Sequence, residues 1–157
     1  LGSISQSPCI EGSTKLDTQQ INRKQKVNDE RRRIKQVIVM RHDLKMRRGK
    51  QIAQGAHASM SFLSRRLQEQ NTISLNDFSE VEQLWLSGAF AKICCRIESE
   101  AALMAIYDQA RAADLEVHLI TDSGKTEFHG QPTRTCLAIG PDDADRIDAI
   151  TGSLQLL

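Results

Sequence analysis

Gln36-Val37-Ile38-Val39-Met40, followed by Arg41-His42-Asp43-Leu44-Lys45-Met46-Arg47-Arg48-Gly49-Lys50, is the stretch that decides the fold. Four consecutive apolar residues bounded by polar ones are what a strand buried on both faces requires. The basic segment after it is too polar to continue that strand, and the period then changes. From Lys50 to Leu67 the apolar residues Ile52, Ala56, Met60, Leu63 and Leu67 recur every three or four positions, which predicts one buried face of a helix. A buried strand that feeds a helix is how an α/β unit opens.

Downstream, Phe78, Val81, Leu84 and Trp85 predict a second helix, with Asn76 or Asp77 as its cap and Gly88 as its stop. Ala91 to Ile97 alternates, with Ile93, Cys95 and Ile97 set against Lys92, Cys94 and Arg96, and so reads as a strand. Ser99 caps a helix carrying Leu103, Ile106, Tyr107 and Ala110; Val117 to Thr121 and Thr135 to Gly140 supply two more strands. Pro141-Asp142 opens a last helix, with Ile147 and Ile150 inward and Asp145 in its first turn. The link between the third and fourth strands is too short for a helix, so the sheet of this α/β domain is expected to be small and mixed.

Upstream, residues 1–35 are rich in Ser, Gln, Asn, Lys and Arg and too poor in apolar side chains to offset ordering entropy, which predicts a flexible basic arm before a domain at 36–157. The arm holds eight Lys or Arg against four acids, leaving thirteen against sixteen in the rest. A folded part of that balance holds a polyanion only through a local basic patch. With 157 residues, 39% of them hydrophobic, the chain suits one core. Four cysteines, two of them adjacent at Cys94 and Cys95, do not make a disulfide framework, so a reducing cytoplasm is the expected setting. No apolar run reaches membrane-spanning length, and the first thirty residues hold no signal-peptide core.

Two polar clusters fall beyond the carboxyl ends of strands, where open α/β sheets gather ligands. Arg41, Lys45, Arg47, Arg48 and Lys50 stand before or at a helix N-terminus, an end that attracts anions; the alternative is a solvated basic loop. Within that helix Lys50, Gln54, His57 and Ser61 share a stripe about 120° from the apolar face. His57 there is either a packing residue or a catalytic one. The second cluster, Thr121-Asp122-Ser123-Gly124-Lys125-Thr126-Glu127, sets Asp122 and Thr126 across a turn, as partners in one site or as a plain Asx turn. Gly124-Lys125-Thr126 is no phosphate-binding P-loop, because the first required glycine falls at Leu119. Neither G-x-S-x-G, H-E-x-x-H nor C-x-x-C occurs, so neither a serine nucleophile nor a metal site is expected. One Trp, one Tyr and four Phe are too few for a base-stacking RNA reader.

Five segments in one order, Asp43–Lys50, Ala53–Ser59, Thr121–Glu127, Ala138–Pro141 and Ile150–Leu154, resemble the type-2 peptidyl-tRNA hydrolases, and together they cover the chain from Val37 to its end. The resemblance implies a single α/β domain with a four-stranded mixed sheet flanked by helices on both faces. It also implies a homodimer, and hydrolysis of the ester between peptide and tRNA in peptidyl-tRNA without metal or cofactor. Carried over by position, the family's catalytic residues fall on Lys50, His57, Asp122 and Thr126. Asp122, with His57, is expected to orient water, Lys50 to meet the oxyanion or the terminal phosphate, and Thr126 to hold the carbonyl or ribose. Gln54 joins them on the same stripe, and Arg41, Lys45, Arg47, Arg48, Lys125 and Arg134 are expected to hold the RNA backbone. Glu127-Phe128-His129-Gly130-Gln131-Pro132-Thr133 departs from the family's commoner segment and resembles a bacterial and phage-like branch, with an acid in place of an amide beside the site. The rival readings are a non-catalytic RNA- or protein-binding module of the same fold, and an enzyme acting on another small ester or amide.

Overall fold

The structure, a computed structural model, describes residues 32–157; the expected basic arm lies outside the described residues over 1–31. Strand β1 (Ile34–Arg41) starts two residues before the expected Gln36. Of the two added residues, Ile34 packs beside Phe62, Phe78 and Trp85 and pairs with Asp143, and Lys35 pairs with Asp142, which gives both reason to be in the sheet. β1 runs parallel to β2 (Ala91–Ile97) on one side and antiparallel to β4 (Thr133–Asp143) on the other, and β3 (Val117–Asp122) joins β4 antiparallel in the order β2-β1-β4-β3. The sheet is mixed and four-stranded, as expected.

Side-chain alternation divides the core into two layers. Val37, Val39, Leu137 and Ile139 face α3 (Glu100–Ala112) and α4 (Ala144–Thr151), meeting Leu103, Ile106, Ala110 and Ile147. Ile38, Met40, Cys136 and Ala138 face the other way, toward Met46 and toward Ala58 of α1 (Arg48–Gln70). A short helix α2 (Glu80–Ser87) rests on α1 through Phe62, Phe78 and Trp85, with Phe62 edge-on to both other rings. Ser79 caps α2, not Asn76 or Asp77, because Glu82 three residues on returns a bond to the Ser79 N–H; Asn76 and Asp77 belong to a separate 3-10 turn under Ser74. Ser99 caps α3 as expected.

The last helix begins later than Pro141. β4 stays paired to β1 as far as Asp143, so α4 starts at Ala144, whose N–H donates to the Arg33 carbonyl. The bend is possible only at Gly140, where φ is +86° and a Cβ would stand 2.9 Å from the Lys35 carbonyl oxygen. The chain then returns along β2, where Arg96 N–H donates to Gln155 O and Leu157 N–H to Cys94 O.

The buried face of α1 is not the apolar stripe. Ile52, Met60 and Leu67 are 73%, 49% and 50% exposed and Ala56 is exposed too, and of the stripe only Leu63 packs, partly buried, beside Phe62, Phe78 and Trp85, while Gln54, Ala58, Ser59, Ser61 and Phe62 are buried. Small and polar residues let the helix lie close to the sheet. Ser59 exchanges bonds with the buried Gln36 amide, and Gln54 O accepts from Cys136 Sγ. The displaced ridge projects sideways, over the half of the sheet beside β2. There Ile38, Met40, Ile52, Gly55, Ala56, Met60, Cys94 and Leu157 line an apolar groove of about 440 Å³. No helix among the described residues is long and apolar enough to cross a membrane. Since the aromatic contact carries the far end of α1, Phe62→Ala should cost about 3–5 kcal/mol of unfolding free energy in urea, against at most about 0.5 for Leu67→Ala; equal losses would restore the apolar stripe as the buried face.

Candidate active site

β3 ends at Asp122, and the loop that returns to β4 folds the carboxylate back toward α1. Gly124 makes the fold possible: its φ is +80° and a Cβ there would lie 2.3 Å from the Gln131 carbonyl oxygen. Its N–H donates to Asp122 Oδ1 at 2.9 Å. From α1, Lys50 Nζ reaches Asp122 Oδ2 at 2.5 Å and Thr126 Oγ1 at 3.1 Å, and Gln54 Nε2 donates to the same Oδ2 at 3.0 Å. The Phe128 ring stands 5.7 Å from the ammonium. Lys50 and Asp122 side chains are each 12% exposed, so the pair sits at the floor of the cleft and not on its rim.

Thr135, expected only as the first residue of a strand, belongs to the site as well. A bulge separates the Ile120↔Cys136 and Thr121↔Arg134 pairs, leaving Thr135 as the extra residue on β4. Fully buried, it turns its hydroxyl toward α1 and donates to Gln54 Oε1 at 2.5 Å. With the Gln54 oxygen held, its NH₂ has to face Asp122. The chain Thr135, Gln54, Asp122, Lys50, Thr126 therefore ties the sheet, α1 and the loop into one polar unit. A threonine in an apolar run is the only trace that sequence carries, and it does not distinguish a bulge from a regular strand.

Hydrogen bonding from Lys50, with further bonds from Gly124 N–H and Gln54, holds the Asp122 carboxyl below the usual carboxylate range against the opposing effect of burial. The group is an anion at neutral pH. A carboxylate offers about four acceptor positions, and three are taken, so Oδ1 keeps one for water. An ammonium has three donors. Two are engaged, and the third is available to an oxygen that becomes negative. A free acceptor that can align a water and a free cationic donor at one point are what attack on a carbonyl needs.

Lys50, Gln54, His57, Asp122 and Thr126 line one cleft of about 570 Å³ with Arg47 and Glu127. His57 is exposed in its wall. Lys45, Arg48 and Lys125 are exposed nearby along the sequence and carry no ion pair among the described residues. Arg47 is different: its Nε donates to Glu127 at 2.7 Å, so the acid that stands for an amide in this loop neutralises one of the cations. Arg41 is 8% exposed and committed to Asp43, Glu100 and the Arg134 carbonyl; hydrogen bonding to Asp43 chiefly raises its pKa. Arg134 is paired with Glu100. Both arginines, expected at the RNA backbone, are joined in a network that neutralises a charge at the end of a buried strand.

The profile of the family described as peptidyl-tRNA hydrolase PTH2 matches residues 34–157. The peptidyl-tRNA hydrolase of Methanocaldococcus jannaschii is 37% identical over 125 residues, 79% of this chain and all of that protein. That of Methanothermobacter thermautotrophicus is 37% identical over 124 residues, again 79% of this chain and all of the relative. A probable peptidyl-tRNA hydrolase 2 of Drosophila melanogaster is 38% identical over 78% of this chain and 61% of its own length. These archaeal and insect relatives do not bear out the bacterial and phage-like branch suggested by residues 127–133.

The depressed Asp122 pKa makes the pair's contribution to stability fully present above the unfolded value of about 3.9 and lost as pH falls through the lower folded value. Thermal unfolding should therefore separate wild type from Asp122→Asn at pH 6 and bring the two together toward pH 2; a gap that stays constant over that range would show that the carboxylate is not held ionised by Lys50.

Proposed function

We infer that this chain, which belongs to the peptidyl-tRNA hydrolase PTH2 family, cuts the ester joining a peptide to the terminal ribose of a tRNA. The observation that carries the mechanism is Lys50 Nζ set between Asp122 Oδ2 and Thr126 Oγ1 on the floor of the cleft. Water held at Asp122 Oδ1 attacks the ester carbon, and the carbonyl oxygen takes the negative charge against the third N–H of Lys50. The bond to the ribose oxygen then breaks, and the proton lost by water ends on that oxygen. An ionised carboxylate of low pKa is a weak base, so Asp122 aligns the water, and His57 in the cleft wall handles the proton. Thr126 holds the carbonyl or the ribose, Gln54 fixes Asp122, and no metal is required in any step.

The tRNA is held through its phosphates by Lys45, Arg48, Lys125 and the outer face of Arg47, with Arg41 and Arg134 shaping the ground beneath them. A cytoplasmic setting follows from that substrate. The protein acts as a homodimer. The Ile52 and Met60 ridge and the groove over Ile38, Met40 and Cys94 lie on one face of each copy, so a two-fold axis lets each ridge enter the other's groove. Gly55 between them keeps the approach close, with only Met40 Cε near its Cβ position at 3.8 Å.

Lys50→Ala should retain a cooperative thermal transition while turnover on a peptidyl-tRNA ester drops on the order of a hundredfold or more; near-wild-type turnover would remove Lys50 from the mechanism. In sedimentation, the wild type should run as a dimer and the Ile52→Asp, Met60→Asp double variant as a folded monomer. A double variant that stays dimeric would place the interface elsewhere.

A further inference from the structure

The cleft does not end at Asp122. On the far side of the carboxylate a second trough of about 450 Å³ opens between α1 and β3, lined among others by Ser61, Ser64, Leu119 and Thr121. It shares Gln54, His57 and Asp122 with the first, so the two form arms of one cleft with the reacting point at their junction. Their charge differs. The first arm carries Arg47, Lys50 and Glu127, whereas the second has no charged side chain except the shared Asp122.

β3 is the outer strand of the sheet, and among the described residues no strand pairs with its free side. Glu116 O accepts from Gly140 N–H and Ile120 O faces the Thr135 hydroxyl, so these carbonyls turn toward β4. By the alternation of an antiparallel ladder, the N–H and C=O of Leu119 and Thr121 turn outward. Edge strands are commonly blunted by charge or proline, and Val117-His118-Leu119-Ile120-Thr121 has neither a Lys, an Arg nor a Pro. The facing wall is equally plain: the hydroxyls of Ser61 and Ser64 donate back into their own helix, which leaves oxygen lone pairs facing out. Farther along α1, Arg66 bridges to Glu116, the residue before β3.

Building on the hydrolase reading, we propose that this trough is the binding site for the peptide part of the substrate, held extended along β3 through its own backbone. A tRNA end is a polyanion and belongs in the cationic arm; the peptide on the other side of the ester is an amide chain and belongs in the neutral arm. Strand addition supplies affinity through main-chain bonds, and the absence of a side-chain pocket makes the site indifferent to peptide sequence. Leu119 to Asp122 measures about 10 Å at ~3.3 Å per residue, so about three peptide residues lie along it.

The test compares tRNA esters carrying one acetylated amino acid with esters carrying acetylated peptides of two to five residues. For the wild type, kcat/KM should climb by about tenfold, the worth of about 1.4 kcal/mol of main-chain bonding, by the third residue and then level off. N-methylation of the second or third peptide nitrogen should remove that gain. Ser64→Trp, which fills the trough, should bring the long-to-short ratio near one while thermal unfolding remains cooperative. Rates independent of peptide length, or full tolerance of N-methylation by the wild type, would overturn the proposal and leave the hydrolase reading intact. Failure to cleave any of the esters would overturn both.

Discussion

The ion pair between Lys50 and Asp122 joins the first turn of α1 to the last residue of β3, two elements that sequence sets 72 residues apart. Placing two charges where each is only 12% exposed costs hydration, and the cost is offset only when every remaining lone pair and proton is used well. The surroundings meet most of that demand and leave one acceptor on Asp122 and one donor on Lys50 for the reaction. Gly124 N–H and Gln54 also donate to the carboxylate, Thr126 takes a second ammonium proton, and the buried Thr135 fixes the orientation of Gln54. The loop after β3, the bulge in β4 and the close seat of α1 on the sheet all serve the same few atoms.

That close seat also accounts for what sequence could and could not say. Strand β1, strand β2, the Ser99 cap and the stripe from Lys50 to His57 follow local rules of period and capping and stand in the structure, although on β2 only Cys95 and Ile97 reach the core and Ile93 is exposed. The inward face of α1 does not follow from local rules. Its apolar residues have the right period, yet tertiary packing chose Gln54, Ala58 and Ser59, because only small or hydrogen-bonding side chains fit between this helix and the sheet. Thr135 escaped notice for a related reason: a bulge depends on how two strands register, and neither strand's sequence announces it. Arg41 looked like a free cation because a sequence does not show that Asp43 and Glu100 will close around it.

The distribution of charge follows a similar economy. The segment at the N-terminus of α1 is dense in cations, but two of them are already answered within the fold, Arg41 by Asp43 and Glu100 and Arg47 by Glu127, and Arg134 on β4 is likewise paired with Glu100. The attractive field is thus confined to a few exposed side chains near one mouth of the cleft, which suits a domain whose overall balance is slightly acidic. Directional placement compensates for small net charge.

The two margins of the sheet are finished differently: Gln155 to Leu157 hydrogen-bond to β2, while among the described residues no strand pairs with the outer side of β3. Fibrils grow because every subunit that joins exposes a fresh hydrogen-bonding rim to the next. A molecule whose β2 margin is narrowed to the few residues of Gln155 to Leu157 offers little template for that growth, since two copies meeting at β3 would consume both extended margins and terminate. The fold can therefore leave a strand uncovered for use without inviting unlimited polymerisation.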